Sequence, residues 1–494
     1  MTSENIKAAI TSGQTALGVE FGSTTIKAVL TTQDGTTIAS GSYDWTNSFQ
    51  DGLWTYALPN VWAGLQVAYG QLKTAVQAEY GVTITKINSM GFSAMMHGYL
   101  VFDADDEQLV PFRTWRNAIT ADAARELTQL FAFNIPQRWS IAHLYQAILN
   151  QETHVPDIAY MTTLAGYVHW QLTDILPQPL KAGTPAGTLT EKGALLLDPT
   201  GDLQPGTRLA PPEGDAGTGM VATNSVNKRT GNISVGTSIF SMIVLEKPLA
   251  HVYSNIDIVT TPTGLPVAMV HANNSASDIN AWAKLFAEFA QKIGHNLSTK
   301  DLYQVLFDAA LTDATPDAGG LSGYGYYSGE NITGVPEGRP LLVRQPDAIF
   351  SVGNLMRLHI FSAFGAIKIG MRLLADEDVL TDNIVAQGGV FKTPVVAQKL
   401  LAAALNTNVT VMQNAGEGGP WGMAILALYA ANNDTTVSLA DFLAEQIFAD
   451  SVAETLSPDP VDVAGFETFM TRYINGFEIE MAAIKALPSQ GKKE

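Results

Sequence analysis

Three short glycine-centred turns stand out for what their backbones could do. Gly22-Ser23-Thr24-Thr25 and Gly236-Thr237-Ser238 each set a glycine beside hydroxyl side chains between two apolar runs. Turns of that composition aim N–H and O–H groups at an anion such as a phosphate. Each alone also reads as an ordinary hairpin connection. Two of them, separated by about half the chain, suggest two clamps on one phosphate chain. The third, Ala386-Gln387-Gly388-Gly389, follows the strand-like Asn383–Val385 and precedes a helical pattern. Its two glycines would let the backbone approach a flat base or a ribose, with a helix N-terminus nearby, and a plain strand-to-helix turn is the alternative. Met95-Met96-His97-Gly98 places an imidazole at the end of a strand, where a buried structural histidine is as natural as a binding one. Gly214-Asp215 opens a run of small residues and by itself reads as a turn whose aspartate caps a helix.

The elements that must position these groups follow from periodicity. Ala16–Phe21 and Ile26–Leu30 are apolar runs flanking the first turn, and Asp34-Gly35 offers a tight hairpin into Thr37–Ser40. Helical spacing over Val61–Glu79 puts Trp62, Leu65, Tyr69 and Leu72 on one face. A strand over Ile87–Phe92 leads to the Met-Met-His-Gly sequence and a further strand at Tyr99–Phe102. Helices are predicted at Ala121–Phe131, Ser140–Gln151, Leu164–Leu172 and Glu191–Leu197, the last inside a stretch rich in Pro and Gly. Gly231–Val235, the second turn and Phe240–Val244 repeat the strand–turn–strand pattern of the N-terminus. Beyond residue 245 helices dominate: Ser277–Ile293, Val352–Leu374, Thr393–Leu405, Gly419–Ala431 and a closing amphipathic helix over Phe466–Leu487.

A chain of 494 residues exceeds one comfortable core and predicts two α/β domains of roughly 250 residues each. Hydrophobic residues at 46% and charged residues at 15% fit a folded enzyme and exclude disorder. No apolar run is read as reaching the ~18 residues of a membrane span. The segment Met1–Gly13 lacks the basic and apolar regions of an export signal, so a cytoplasmic location is the expectation. Zero cysteines exclude disulfides, thiolate catalysis and thiolate-bound metals. A net charge of −19 without a basic cluster argues against nucleic acid and anionic membranes as partners. If such a chain handles a polyanion, backbone N–H groups and Mg²⁺ must do what its few lysines cannot.

Taken in order, Gly22-Ser23-Thr24, Met96-His97-Gly98, Gly214-Asp215, Gly236-Thr237-Ser238 and Gly388-Gly389 resemble the FGGY family of carbohydrate kinases, from about Leu17 to Tyr429. Each motif is modest alone, whereas five in the right order are specific. The resemblance implies the actin-like ATPase fold: two ribonuclease-H-like α/β domains with a cleft between them. Residues 1–246 would carry the sugar and phosphate loops, and 247–494 the adenine nucleotide. It implies transfer of the γ-phosphoryl group of ATP to a small sugar, with ATP and Mg²⁺ as cofactors. Asp215 matches the family's general base, a carboxylate that accepts the sugar hydroxyl's proton as its oxygen attacks phosphorus. Met96 and His97 match the pair that xylulokinase-like members place in the sugar pocket, which makes D-xylulose and L-ribulose the leading substrates. Trp115 and Asn117 stand where relatives line the sugar site. Gly22, Ser23 and Thr24 match the first phosphate loop, Gly236, Thr237 and Ser238 the second, and Gly388 and Gly389 the adenosine-binding glycines. Dimers are common in the family, so the resemblance also admits a homodimer.

Three departures accompany the match. Glu20 stands where the family usually has an aspartate, and its extra methylene is compatible with holding Mg²⁺ through water. Met95 replaces a glutamine common in xylulokinases, which removes a hydrogen bond to the sugar. Thr173-Asp174 runs almost directly into Leu176-Pro177, where relatives carry a longer stretch with an Asp/Asn-Ala-Ser segment. These changes leave a catalytically weakened sugar- or nucleotide-binding sensor as the alternative. An actin- or chaperone-like ATPase would have no need of the Met-His-Gly sequence.

Overall fold

The computed structural model describes residues 2–176, 178, 180–412, 418–432 and 436–488. The chain divides into two compact units. The first comprises Met1–Val226, Thr260–Leu265 and Ala415–Ser451, and the second Asn227–Val259, Pro266–Asn414 and Val452–Glu494. Strand labels below run along the two main sheets.

The first unit is organised on β1 (Thr15–Phe21), β2 (Thr25–Thr32), β3 (Thr37–Asp44), β4 (Ser89–Ala94), β5 (Arg208–Leu209) and β6 (Glu213–Gly214). Their order is β5-β4-β1-β2-β3, with β6 also on β4. β1 runs antiparallel to β2 and parallel to β4, and is buried along its length except at Glu20, as befits a strand covered on both faces. On one face, Leu65, Tyr69 and Leu72 of the helix Leu58–Tyr80 pack with Leu17, Val19 and Phe21. A Pro in the first turn starts that helix, and Gly81, left-handed at φ 68°, stops it. By the alternation of a strand, Gly18 and Glu20 point to the other face. There the helix Gly419–Ala431 is apolar on all sides and nearly wholly buried. It lies so close that a Cβ on Gly18 would overlap Pro420 O and Ala424 N. One on Gly422 would overlap Thr218 O.

The second unit repeats the plan with β7 (Thr230–Val235), β8 (Ile239–Val244), β9 (Ile256–Thr260), β10 (Pro266–Ala272), β11 (Asn383–Gly388), β12 (Asn408–Met412) and β13 (Ala453–Leu456). The order is β9-β10-β8-β7-β11-β12-β13. β7 is antiparallel to β8 and parallel to β11, just as β1 is to β2 and β4. The helix Val352–Asp376 is the spine of this unit's core. It has the length and composition of a membrane span, with a mean hydropathy of 1.4 over its most apolar window, but 72% of that window is buried by its own unit. A helix that is mostly buried in a core needs much the same apolar composition as a span, which is why the reading of no span-length run does not hold for it.

Two further expectations change. The second unit begins at Asn227 and so takes β7 and β8, which a boundary at 246/247 leaves in the first half. Pairing decides this, because β7 is hydrogen-bonded to β11 far along the chain. The closing helix is two helices, Pro460–Asn475 and Phe477–Ala486, broken at Gly476, where a Cβ would overlap the Tyr324 hydroxyl.

Candidate functional site

In the first unit, the turn between β1 and β2 is tied down from behind. Gly22 N–H donates to Thr25 O at 3.0 Å. The Trp45 indole N–H donates to Gly22 O at 2.8 Å, and the Tyr56 hydroxyl to Ser23 O at 2.6 Å. Trp45 and Tyr56 themselves stack at 4.2 Å between ring centres. With its carbonyls held inward, the turn leaves Ser23 and Thr24 exposed.

Next to this turn, Glu20 is the last residue but one of β1. Its carboxylate accepts a hydrogen bond from Thr218 Oγ1 at 3.2 Å. Burial, and then the negative charge of Asp215, push its pKa up to about 7. Asp215 is the first residue of the helix Asp215–Ala222, with Gly214 as its cap, so the sequence expectation of a capping aspartate moves by one residue. Its carboxylate accepts from its neighbour Ala216 N–H at 3.0 Å and from the Met96 amide, while burial raises its pKa to about 6. Gly214 permits this approach: a Cβ there would stand 2.7 Å from Met96 Cβ.

His97 continues from Met96 and stacks on Trp139 at 6.1 Å. Its Nε2 is buried with no hydrogen-bond partner, and burial, followed by the charge of Arg138, holds its pKa down at about 3. It is therefore a neutral imidazole with an open bonding position. Asn117 is different. Both N–H bonds of its amide are spent, on Trp54 O at 2.8 Å and Thr114 O at 3.0 Å, and its Oδ1 accepts from Trp54 N–H at 2.9 Å. The structure thus uses Asn117 to hold the strand at Trp54, while Trp115 beside it is 40% exposed. Before the helix Glu191–Leu197, residues 187–189 run beside β5, with Leu209 N–H donating to Gly187 O at 2.9 Å.

Four residues of this neighbourhood escaped sequence reasoning. Glu213 lies on β6 with its carboxyl desolvated, its pKa raised by burial to about 7 and its oxygen accepting Gly214 N–H at 2.9 Å. Thr218 sits one turn along from Asp215 and reaches Glu20. Trp139 backs His97, with its own indole N–H buried and unpartnered. Gly419 lies against Glu20 from a segment about four hundred positions away. Only the Gly418-Gly419 pair before an apolar helix was a visible signal.

In the second unit, the turn between β7 and β8 mirrors the first. Gly236 N–H donates to Ser238 O at 2.8 Å, and the carbonyls of Gly236 and Thr237 are taken by the amides of Ala276 and Ser275, at 3.0 and 2.9 Å. Gly236 and Thr237 remain exposed. Gly388 is the register partner of Val235. At φ 125° it occupies a backbone region open to glycine, and a Cβ there would overlap Val235 O. Gly389 follows with open space around its Cα. Parallel pairing therefore sets the second glycine–hydroxyl turn and the glycine pair at adjacent strand ends. A 3₁₀ turn (Gly389–Lys392) comes next, and the helix expected from Thr393 begins at Val396.

Two sheets of one strand order, each with a glycine–hydroxyl turn between its first two strands, define the actin-like ATPase fold. The chain belongs to the FGGY family of carbohydrate kinases: the family's N-terminal domain matches residues 15–146 and its C-terminal domain residues 231–431. No curated protein matches the sequence. Among solved structures, xylulose kinase from Rhodospirillum rubrum superposes with a TM-score of 0.75 at 16% identity, over 96% of this chain and 99% of that one. Gluconate kinase from Lactobacillus acidophilus gives 0.74 at 16%, over 96% and 98%. Plasmodium falciparum glycerol kinase gives 0.71 at 11%, over 94% and 98%. At such identities the likeness speaks to the fold alone.

Proposed function

We propose that this carbohydrate kinase transfers the γ-phosphoryl group of ATP to a hydroxyl of a ketopentose, D-xylulose or L-ribulose, with Asp215 as general base. The observation that carries the reading is Asp215 itself. It is a desolvated carboxyl at the start of a helix, oriented by two backbone amides, with Met96 and the open Nε2 of His97 next in line. In the proposed reaction the sugar oxygen gives its proton to the Asp215 carboxylate and bonds to the γ-phosphorus, whose bond to the β-γ bridging oxygen breaks to release ADP. His97 accepts or donates one hydrogen bond to a sugar hydroxyl and fixes which oxygen faces Asp215. Ser23, Thr24 and the Gly236-Thr237-Ser238 turn supply N–H and O–H groups to the phosphates. Gly388 and Gly389 give the adenosine a surface free of side chains.

Among the described residues, no group of three or more His, Asp or Glu side chains forms a metal cage. That suits Mg²⁺, which keeps most of its water and shares nucleotide phosphates with one or two protein carboxylates. Glu20, desolvated beside Asp215, fits the part of that carboxylate. When bound, the ion offsets phosphate charge that a chain of net charge −19 cannot offset itself.

Substrate choice rests on the Met96-His97 pair and on the likeness to a xylulose kinase, against comparable likeness to gluconate and glycerol kinases. ADP release measured with D-xylulose, L-ribulose, gluconate and glycerol tests it. The greatest kcat/KM is expected with one of the two ketopentoses, and a preference for gluconate or glycerol would overturn the assignment. Absence of sugar-stimulated ADP release with all four would favour the sensor reading.

A further inference from the structure

The Glu20 carboxylate is enclosed by parts of the chain far apart in sequence, and we infer that Gly419 is a positioning residue that makes the space this carboxylate occupies. A Cβ built on Gly419 would overlap Glu20 Oε2 and stand 2.6 Å from Cδ and 2.9 Å from Oε1. The carboxylate therefore rests on the bare Cα of the first residue of the helix Gly419–Ala431. From the other side Thr218 Oγ1 donates to Oε2 at 3.2 Å.

Neither backbone can retreat from a methyl group placed at 419. The helix is held against β1 by backbone approach at Gly18, where an added Cβ would overlap Pro420 O and Ala424 N and stand 3.0 Å from Ala424 Cα. It is held against the helix Asp215–Ala222 by the same kind of approach at Gly422, where the Thr218 carbonyl carbon would be 3.0 Å away. What can move is the end of a flexible side chain. Gly419→Ala should thus displace the Glu20 carboxylate and leave the fold in place. Glu20→Asp withdraws the carboxylate by one methylene, about 1.5 Å, and relieves the same overlap. The helix has no side-chain cap of its own, so the negative charge at its first residue also suits the helix dipole.

This inference rests on the reading of Glu20 as the carboxylate that serves the nucleotide's cation, and the test separates the two. The probe is Mn²⁺ in the presence of ADP, its binding followed by the loss of free Mn²⁺ signal in electron paramagnetic resonance. Apo-protein melting is measured alongside. Gly419→Ala is expected to melt within about 2 °C of the unaltered protein and to bind Mn²⁺·ADP about tenfold more weakly. The double variant E20D/G419A is expected to regain most of that loss. Unchanged Mn²⁺ affinity in G419A, or a double variant no better than G419A alone, overturns the positioning role. Glu20→Gln with undiminished Mn²⁺ affinity would instead remove the underlying reading of Glu20. Should G419A fail to fold, the double variant decides: recovered folding and affinity support the inference, and an equally unfolded double variant overturns it.

Discussion

A carboxyl that must take up a proton works best when its own pKa lies close to the working pH. Burial brings Asp215 to about 6, so the active, ionised form is lost as pH falls through that value. The kcat/KM for sugar is expected to climb tenfold per pH unit below about 6 and to level above it. Asp215→Asn should cut turnover by about two orders of magnitude or more while ADP binding stays close to normal, as read by calorimetry. A fully active D215N enzyme would remove Asp215 from the role. His97 adds no limb to that profile, because its pKa near 3 keeps it neutral throughout the range. Replacing it with phenylalanine keeps the stack on Trp139 and removes one hydrogen bond, so the KM for sugar should rise about tenfold with the KM for ATP unmoved. An unmoved sugar KM would place the imidazole outside the sugar's reach. At this scale the sequence displays the reactive groups and hides their companions. Gly-Asp and Met-His-Gly are legible because each is contiguous. The commitment of Asn117 to Trp54, the ring of Trp139 behind His97 and the fit of Gly419 to Glu20 are pairings across tens to hundreds of positions, which composition does not encode.

Between the residues and the whole lies the seat of the helix Gly419–Ala431. The contacts at Gly18 and Gly422 are backbone against backbone, which leaves no rotamer to absorb an added methyl group. Gly18→Ala is accordingly expected to lower stability by about 3 kcal/mol, at the upper end of the usual cost of overpacking. Gly70→Ala, on a helix surface with open space around it, should change little or stabilise slightly. Urea unfolding of the two variants makes the comparison, and equal midpoints would mean the helix has room to shift. The strands and helices around this seat were readable because local rules agree: alternation or 3.6 spacing, ended by Gly or Pro. The broken closing helix was not, since the break is set by Tyr324 lying where Gly476 must pass. Nor was the start of the second unit, which depends on which distant strand β7 pairs with.

At the scale of the molecule, three histidines and three carboxyls of the first unit, whose pKa values burial moves far, act on stability in opposite directions as pH changes. Burial pushes His97, His143 and His169 down to about 3, 4 and 4 from 6.5, so below 6.5 the unfolded chain binds protons that the fold refuses. Their effect is a loss of stability as pH falls from 6.5 toward 4. Burial pushes Glu20 and Glu213 up to about 7 from 4.5, and Asp215 up to about 6 from 3.8, so the fold holds protons that the unfolded chain releases. Their effect is a gain as pH falls from 7 toward 4.5. Between about 4.5 and 6 these two sets oppose each other, and urea midpoints should change little there before dropping below about 4.5. A steep slope between pH 5 and 6 would show that one of the two sets is not displaced.

The order in which the ribosome delivers these pieces carries a cost. Val226 emerges early, yet the groove over Gly18 and Gly91 waits for Pro420, Met423 and Ala424, delivered only after the intervening strands and helices have been made. At 5–20 residues per second, the delay is on the order of 10–40 s. Throughout it an apolar trough lies open on the nascent chain, a natural hold for a chaperone and a natural start for aggregation. A fragment ending at Val226 should bind a hydrophobic dye such as ANS, and a peptide spanning Gly418–Asn432 added in trans should displace it.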